Sequence, residues 1–222
     1  MSATSVAAFL RRDLLLLRRN TASLISMFVV PPLFLLCLYA VFGYSAGQSG
    51  FGYLRFVLGG CLFQAAMFTA AASAMAVGQD VESGLVDRVR VLPGATGGYV
   101  AGRLATDVLR MSASIAALLV VAWACGLDMA VGDVAWTVLW SLLAAAVLSL
   151  VTDGVILMVP APVSTASSIQ ALEMLLLMFS TAFIPATALD GSLRDVVRHM
   201  PFSPIIEVIR AASPDALSLI HI

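Results

Sequence analysis

Asp80, Glu82, Asp87, Arg88 and Arg90 crowd one short stretch of a chain that is otherwise poor in charge, and a Pro93-Gly94 break closes the stretch. Side chains of both signs at that density suit charge-assisted hydrogen bonds to a partner surface. The flanks are of the opposite kind: residues 56–78 carry no charge, and neither do residues 111–127. A charge at the centre of a bilayer costs roughly 2.5–3.5 kcal/mol on insertion scales. The charged island must therefore face water, on one side of a membrane, between two spanning helices.

Other arrangements that could do chemistry fall away. Gly43-Tyr44-Ser45-Ala46-Gly47 has the G-x-S-x-G form, but a nucleophile elbow needs a strand before it and a helix after it. Here an apolar run precedes it, so it reads as a loop with turn glycines. His199 and His221, the two histidines, have no metal-ligand pattern around them. A Walker A loop needs a lysine on the phosphates, and all 12 basic residues here are arginine, so the chain binds no ATP through a P-loop of its own. Cys37, Cys61 and Cys125 lie in apolar runs and read as small buried hydrophobes. Gly94-x-x-x-Gly98 and Gly98-x-x-x-Gly102 could permit close helix approach, but at a loop-to-helix junction they read as flexible connectors.

Composition sets the class. The 222 residues are 61% hydrophobic and 11% charged, with mean hydropathy +1.01. Soluble globular chains carry about 25% charged residues, so a polytopic helical membrane protein is the ordinary class that fits. A net charge of −1 gives no reason to expect a nucleic-acid partner. The absence of lysine fits a GC-rich bacterial genome.

A helix needs about 20 apolar residues to cross the hydrocarbon. The apolar runs predict five spans, at residues 22–42, 54–78, 104–127, 134–158 and 169–189. Pro31-Pro32 is expected to kink the first. That run is too long for the core of a signal peptide and reads as an uncleaved anchor. Arginine lies before the first span (Arg11, Arg12, Arg18, Arg19) and before the third (Arg88, Arg90, Arg103, Arg110), and is absent from residues 43–53 and 128–133. By the positive-inside rule the N-terminus and the island are then cytoplasmic, in a bacterial inner (plasma) membrane. Arg194, Arg198 and Arg210 fall outside, against the rule. Residues 5–19 predict an interfacial helix, with Arg11, Arg12, Arg18 and Arg19 on one arc of about 120° and Val6, Leu10, Leu14 and Leu17 opposite. Those arginines would meet anionic headgroups of the inner leaflet.

Three polar residues stand inside spans: Asp153, Gln170 and Glu173. Intramembrane ionisable groups are functional candidates by default, so a substrate path is one reading of them. Facing interfacial water near the short loop of residues 160–168 is the other.

These elements, in order, resemble the ABC-2 type transporter permeases, and within them the daunorubicin-resistance-type drug-export permeases of actinobacteria. Residues 9–42 look like an arginine-bearing interfacial helix entering a proline-containing span. Asp80-Val81-Glu82-Ser83-Gly84-Leu85-Val86-Asp87-Arg88-Val89-Arg90-Val91-Leu92-Pro93 resembles the family's acidic-x-x-G-x-x-(D/E)-R-x-x-x-L-P signature. Residues 102–110 resemble its entry into the third span, and Phe179 to Pro185, Leu189 to Arg194 and Pro201 to Pro204 its block after the fifth.

The resemblance implies an all-α membrane protein, a single transmembrane domain over residues 1–222. Residues 80–93 would be a coupling helix docking on a separate ATP-binding-cassette ATPase subunit, through Asp80, Glu82, Ser83, Gly84, Asp87, Arg88, Arg90, Leu92 and Pro93. Residues 190–212 would lie at the outer face. Two permease copies would form a homodimer in the lipid bilayer. They would move a hydrophobic drug, antibiotic or lipid-like substrate outward, with ATP and Mg held by the partner subunit and no cofactor on this chain. The family has a sixth span, and the tail Leu217 to Ile222 looks foreign, so a C-terminal truncation is expected. An ion-coupled secondary transporter and a non-transporting membrane scaffold are the alternative functions, separable by whether an ABC ATPase gene is adjacent.

Overall fold

A computed structural model describes residues 3–21, 25, 28–48, 52–180, 182–183 and 202–211. Eight helices are found among the described residues, and no strand. They are α1 (Ala3–Arg19), α2 (Val30–Gln48), α3 (Tyr53–Glu82), α4 (Leu85–Val91), α5 (Ala95–Ala124), α6 (Val131–Ile156), α7 (Pro162–Met178) and α8 (Ser203–Arg210). The all-helical membrane fold expected from composition is the one observed.

Of the described helices, α3, α5 and α6 are long and apolar enough to cross a membrane. They run longer or earlier than the apolar runs suggested. α3 and α5 carry polar turns out to Glu82 and in from Ala95, because the helix continues wherever its polar residues find partners or water. The expected first and fifth spans appear as the shorter α2, of 19 residues, and α7, of 17 residues. The rest of those two spans lies partly outside the described residues, as do residues 190–201 of the expected outer-face segment and the tail after Ala211.

α3 is the centre. It packs against α2, α5, α6, α7 and α8. Its glycines and alanines permit this. An added Cβ at Gly78 would stand 3.1–3.2 Å from the backbone of Pro162 and Val163, and one at Gly59 would stand 2.6 Å from Arg210 Cγ. Phe63, Leu58, Leu62, Met67, Met111 and Leu118 are fully buried around it. The outer helices turn large apolar side chains away from the bundle. Leu139, Leu143, Val147, Leu150 and Val151 of α6 are all exposed, as a lipid-facing stripe must be when the solvent is hydrocarbon.

Pro31 and Pro32 fall in the first turn of α2, just after a turn at Val29 that follows helical residues at Ile25 and Phe28, so the helix is interrupted where the prolines are expected to kink it. Three local expectations change. Gly43 to Gly47 is the helical end of α2 rather than a loop. Cys37 is exposed on α2, whereas Cys61 is buried. Gly98 and Gly102 lie within α5 and are buried under α1. An added Cβ at Gly102 would stand 2.7 Å from Phe9 Cβ and 3.1 Å from the Val6 carbonyl. The two glycines are close-approach positions, not connectors.

Candidate functional site

The charged island divides in two. α3 runs on through Val81 and Glu82, so Asp80 belongs to the last turn of a long helix. Ser83 and Gly84 make the turn, with Gly84 at φ 70°, a left-handed conformation that glycine adopts without a Cβ clash. The short α4 follows and ends at Val91, before Leu92, Pro93 and a second left-handed glycine, Gly94 at φ 76°. The expected single helix over residues 80–93 is thus a helix end, a turn and a two-turn helix.

The two parts face opposite ways. Val86 and Val89 of α4 are buried with Tyr99 in a small cluster that Phe9 covers. Ser83, Asp87, Arg88, Arg90, Leu92 and Pro93 are exposed, and Glu82 is exposed with its Oε1 accepting from the Val163 N–H at 3.4 Å. Asp87 and Arg90 pair loosely at 3.5 Å in the open. Asp80 is 3% exposed and points into the protein. It is no part of the outward surface on which the signature would place it.

Asp80 is the hub of a network that ties together α1, α3, α5 and α6. Arg12 forks onto both carboxylate oxygens of Asp80 and also reaches Asp13 Oδ1 at 3.1 Å. The Tyr99 hydroxyl donates to Asp80 Oδ2 at 3.0 Å. Arg103 uses all three of its nitrogens. Nη1 reaches Asp13 Oδ2 at 3.3 Å and Asp80 Oδ2 at 3.5 Å, Nη2 donates to the Ser73 carbonyl at 2.9 Å, and Nε donates to Ser73 Oγ at 3.2 Å. The Ser73 hydroxyl donates in turn to Asp153 Oδ2 at 2.9 Å. Ser73 and Asp80 are seven residues apart on α3, two helical turns, and so share a face.

Asp13, Asp80 and Arg103 are each 5% exposed or less. Such charges persist only when paired and hydrogen-bonded. The bidentate arginine–carboxylate fork is the strongest geometry available for that. Its bond to Asp80 holds the Arg12 guanidinium above its usual range, while burial pushes the Asp13 carboxyl up against the pull of Arg103 and Arg12.

Arg12 is therefore drawn out of the set expected at the inner leaflet, whereas Arg11, Arg18 and Arg19 are exposed. Of the expected substrate-path residues, Asp153 joins the network through Ser73. Glu173 is buried on α7 with Oε2 unpartnered, and Gln170 is half-buried on the same helix. The three share no hydrogen bond. Asp13, Ser73 and Tyr99 were missed from sequence. The available signal was an acidic residue among the arginines of α1 and the seven-residue spacing of Ser73 and Asp80.

The chain matches the ABC-2 type transporter family over residues 4–213. It belongs to that family. It is also 32% identical over 117 residues to the daunorubicin resistance ABC transporter permease protein DrrB1 of Streptomyces coeruleorubidus. That alignment covers 51% of this chain and 41% of the relative, so it spans less than half the length of the protein it matches. No solved structure matches. In this ABC-2 chain the signature stretch is thus an inward carboxylate joined by one turn to an outward charged helix.

Proposed function

We propose that this ABC-2 chain is the membrane-spanning permease subunit of an ABC exporter. It moves a hydrophobic drug, antibiotic or lipid-like substrate outward, with its N-terminus and α4 on the cytoplasmic side. A separate ABC ATPase subunit docks on α4 and holds the ATP and Mg, and two permease copies pack as a dimer around the path. The observation that carries the reading is the division of the island. α4 offers Asp87, Arg88 and Arg90 to a partner, while Asp80, just before it, is clasped by α1 and α5.

The mechanism follows from that linkage. A push on α4 is transmitted through the short turn at Gly84 to the end of α3. The Asp80 network shares it with α1 and α5, and Ser73 carries it to α6 through Asp153. Rigid helices joined by bonded networks move as bodies, which suits a switch between inward- and outward-open packings. The drug-resistance name of the relative supports a hydrophobic small molecule as cargo.

The test is co-purification of the chain with the ABC ATPase encoded beside its gene, with coupled ATP hydrolysis as second readout. Arg88→Ala and Glu82→Ala are expected to weaken assembly at least tenfold, since truncating a charged partner at a buried interface costs about 2–5 kcal/mol. Unchanged assembly and coupling in both variants would reject docking on α4.

A further inference from the structure

Beneath the Asp80 network lies a second set of buried polar groups. Asp107 and Arg110 of α5 and Ser149 and Asp153 of α6 gather near Ser73 of α3. Asp107 and Ser149 are each 1% exposed, and Asp153 is half-buried with one carboxylate oxygen shut off from solvent. Asp107 Oδ2, Arg110 Nε, Ser149 Oγ and Asp153 Oδ1 are all buried without a hydrogen-bond partner. Buried polar atoms are normally paired, so orphans concentrated at one place indicate an occupant or a protonation state that pairs them.

Charge counting says which. Arg12 lies on Asp80, Arg103 on Asp13 and the edge of Asp80, and Arg110 on Asp107 at 3.3 Å. Three guanidiniums thus serve three carboxylates. Asp153 is left with one direct partner, the neutral Ser73 hydroxyl. The helices around it bring no further cation among the described residues. α3 adds only Asp80 here, and α5 adds Tyr99 besides the groups already named. α7 brings Glu173, and Glu207 and Arg210 of α8 stand at the opposite end of α3, by Phe56 and Gly59. Arg103 and Arg110 act on Asp153 through space only, and a carboxylate oxygen shut off from water with no cation bonded to it is costly to ionise, so such groups tend to take up a proton.

We propose that Asp153 is a proton-binding site, holding one proton at neutral pH within the pocket formed by Ser73, Asp107, Arg110 and Ser149. The protonated carboxyl still accepts from Ser73 on Oδ2, and its O–H gives the site a donor that the ionised form lacks. The cluster is then charge-balanced, three against three. This inference does not depend on what docks at α4.

The test is infrared spectroscopy of the full chain in lipid nanodiscs, labelled with carboxyl-¹³C aspartate, in a Glu173→Gln background that removes the buried Glu173 carboxyl. The expected result is an isotope-shifted carboxylic-acid C=O band at neutral pH that disappears at high pH and is absent after Asp153→Asn. Asp153→Glu, which keeps a carboxyl, is a second variant and is expected to lose the isotope-shifted band. The absence of the band at neutral pH in the Glu173→Gln chain overturns the proposal. So does a band that survives in either Asp153 variant.

Discussion

Asp80 and Arg88 belong to one charged stretch, yet the chain treats them in opposite ways. Asp80 is 3% exposed and held by two arginines and a tyrosine from other helices, whereas Arg88 is exposed on a helix of two turns. One glycine turn separates these fates. Up to Glu82 the backbone follows α3, whose phase turns residues 73 and 80 toward α1 and α5. After Gly84 it leaves the bundle and keeps only Val86 and Val89 inside. Charge marks a segment as one that needs water or a partner, and helix phase decides which it receives.

The largest expected effect is on the inward side. Arg103→Ala removes the group that links Asp13, Asp80 and Ser73, and leaves two carboxylates with less compensation. Breaking one partner of a buried pair costs about 3–5 kcal/mol. Thermal unfolding in detergent should fall by many degrees, and a melting temperature equal to wild type would mean that the network is solvated and the contrast false.

Next comes the seat of α1. Gly102→Leu drives a side chain into Phe9 and Val6, an overpacking that costs about 1–3 kcal/mol. Its expected signature is protease sensitivity within residues 3–19 before the rest of the chain. Cleavage no faster than in wild type would show that α1 does not rest on Gly102.

Tyr99→Phe is smaller. It deletes the hydroxyl that donates to Asp80 and keeps the ring packed edge-on against Phe9, with centroids 5.5 Å apart. A hydrogen bond to a charged group contributes about 1.5–3 kcal/mol. Asp80 retains its two arginines, so the loss should sit at the low end, measured by the same melt. A loss as large as that of Arg103→Ala would make Tyr99 the principal partner of Asp80.

The smallest stability effect belongs outside. Asp87→Ala breaks a pair whose side chains are 79% and 57% exposed, and exposed pairs contribute roughly 0–1 kcal/mol. The melt should stay near wild type. A large drop would place α4 inside a packed interface of this chain.

Much of the architecture is legible in the residues. Uncharged runs on either side of Asp80 to Arg90 mark α3 and α5, and Pro93-Gly94 marks the end of α4. Helix ends are less legible. An apolar count stops where polar residues begin, at 78 and 104, whereas the helices run to Glu82 and from Ala95 because Asp80, Tyr99 and Arg103 are satisfied by one another. The glycines at 98 and 102 allow connector or contact until a partner helix is in place.

Composition and order alone determined that this is a helical membrane chain, where water-facing charge must lie, and which family its signature belongs to. The reason is that lipid excludes unpaired charge whatever the fold. Tertiary structure alone decided that Arg12 leaves the headgroup arc for Asp80, that Asp80 turns inward while Arg88 turns outward, and that Ser73 joins Arg103 to Asp153. Those pairings connect residues 13, 80, 103 and 153. Only the packing of α1, α3, α5 and α6 brings side chains so distant in sequence within hydrogen-bond reach.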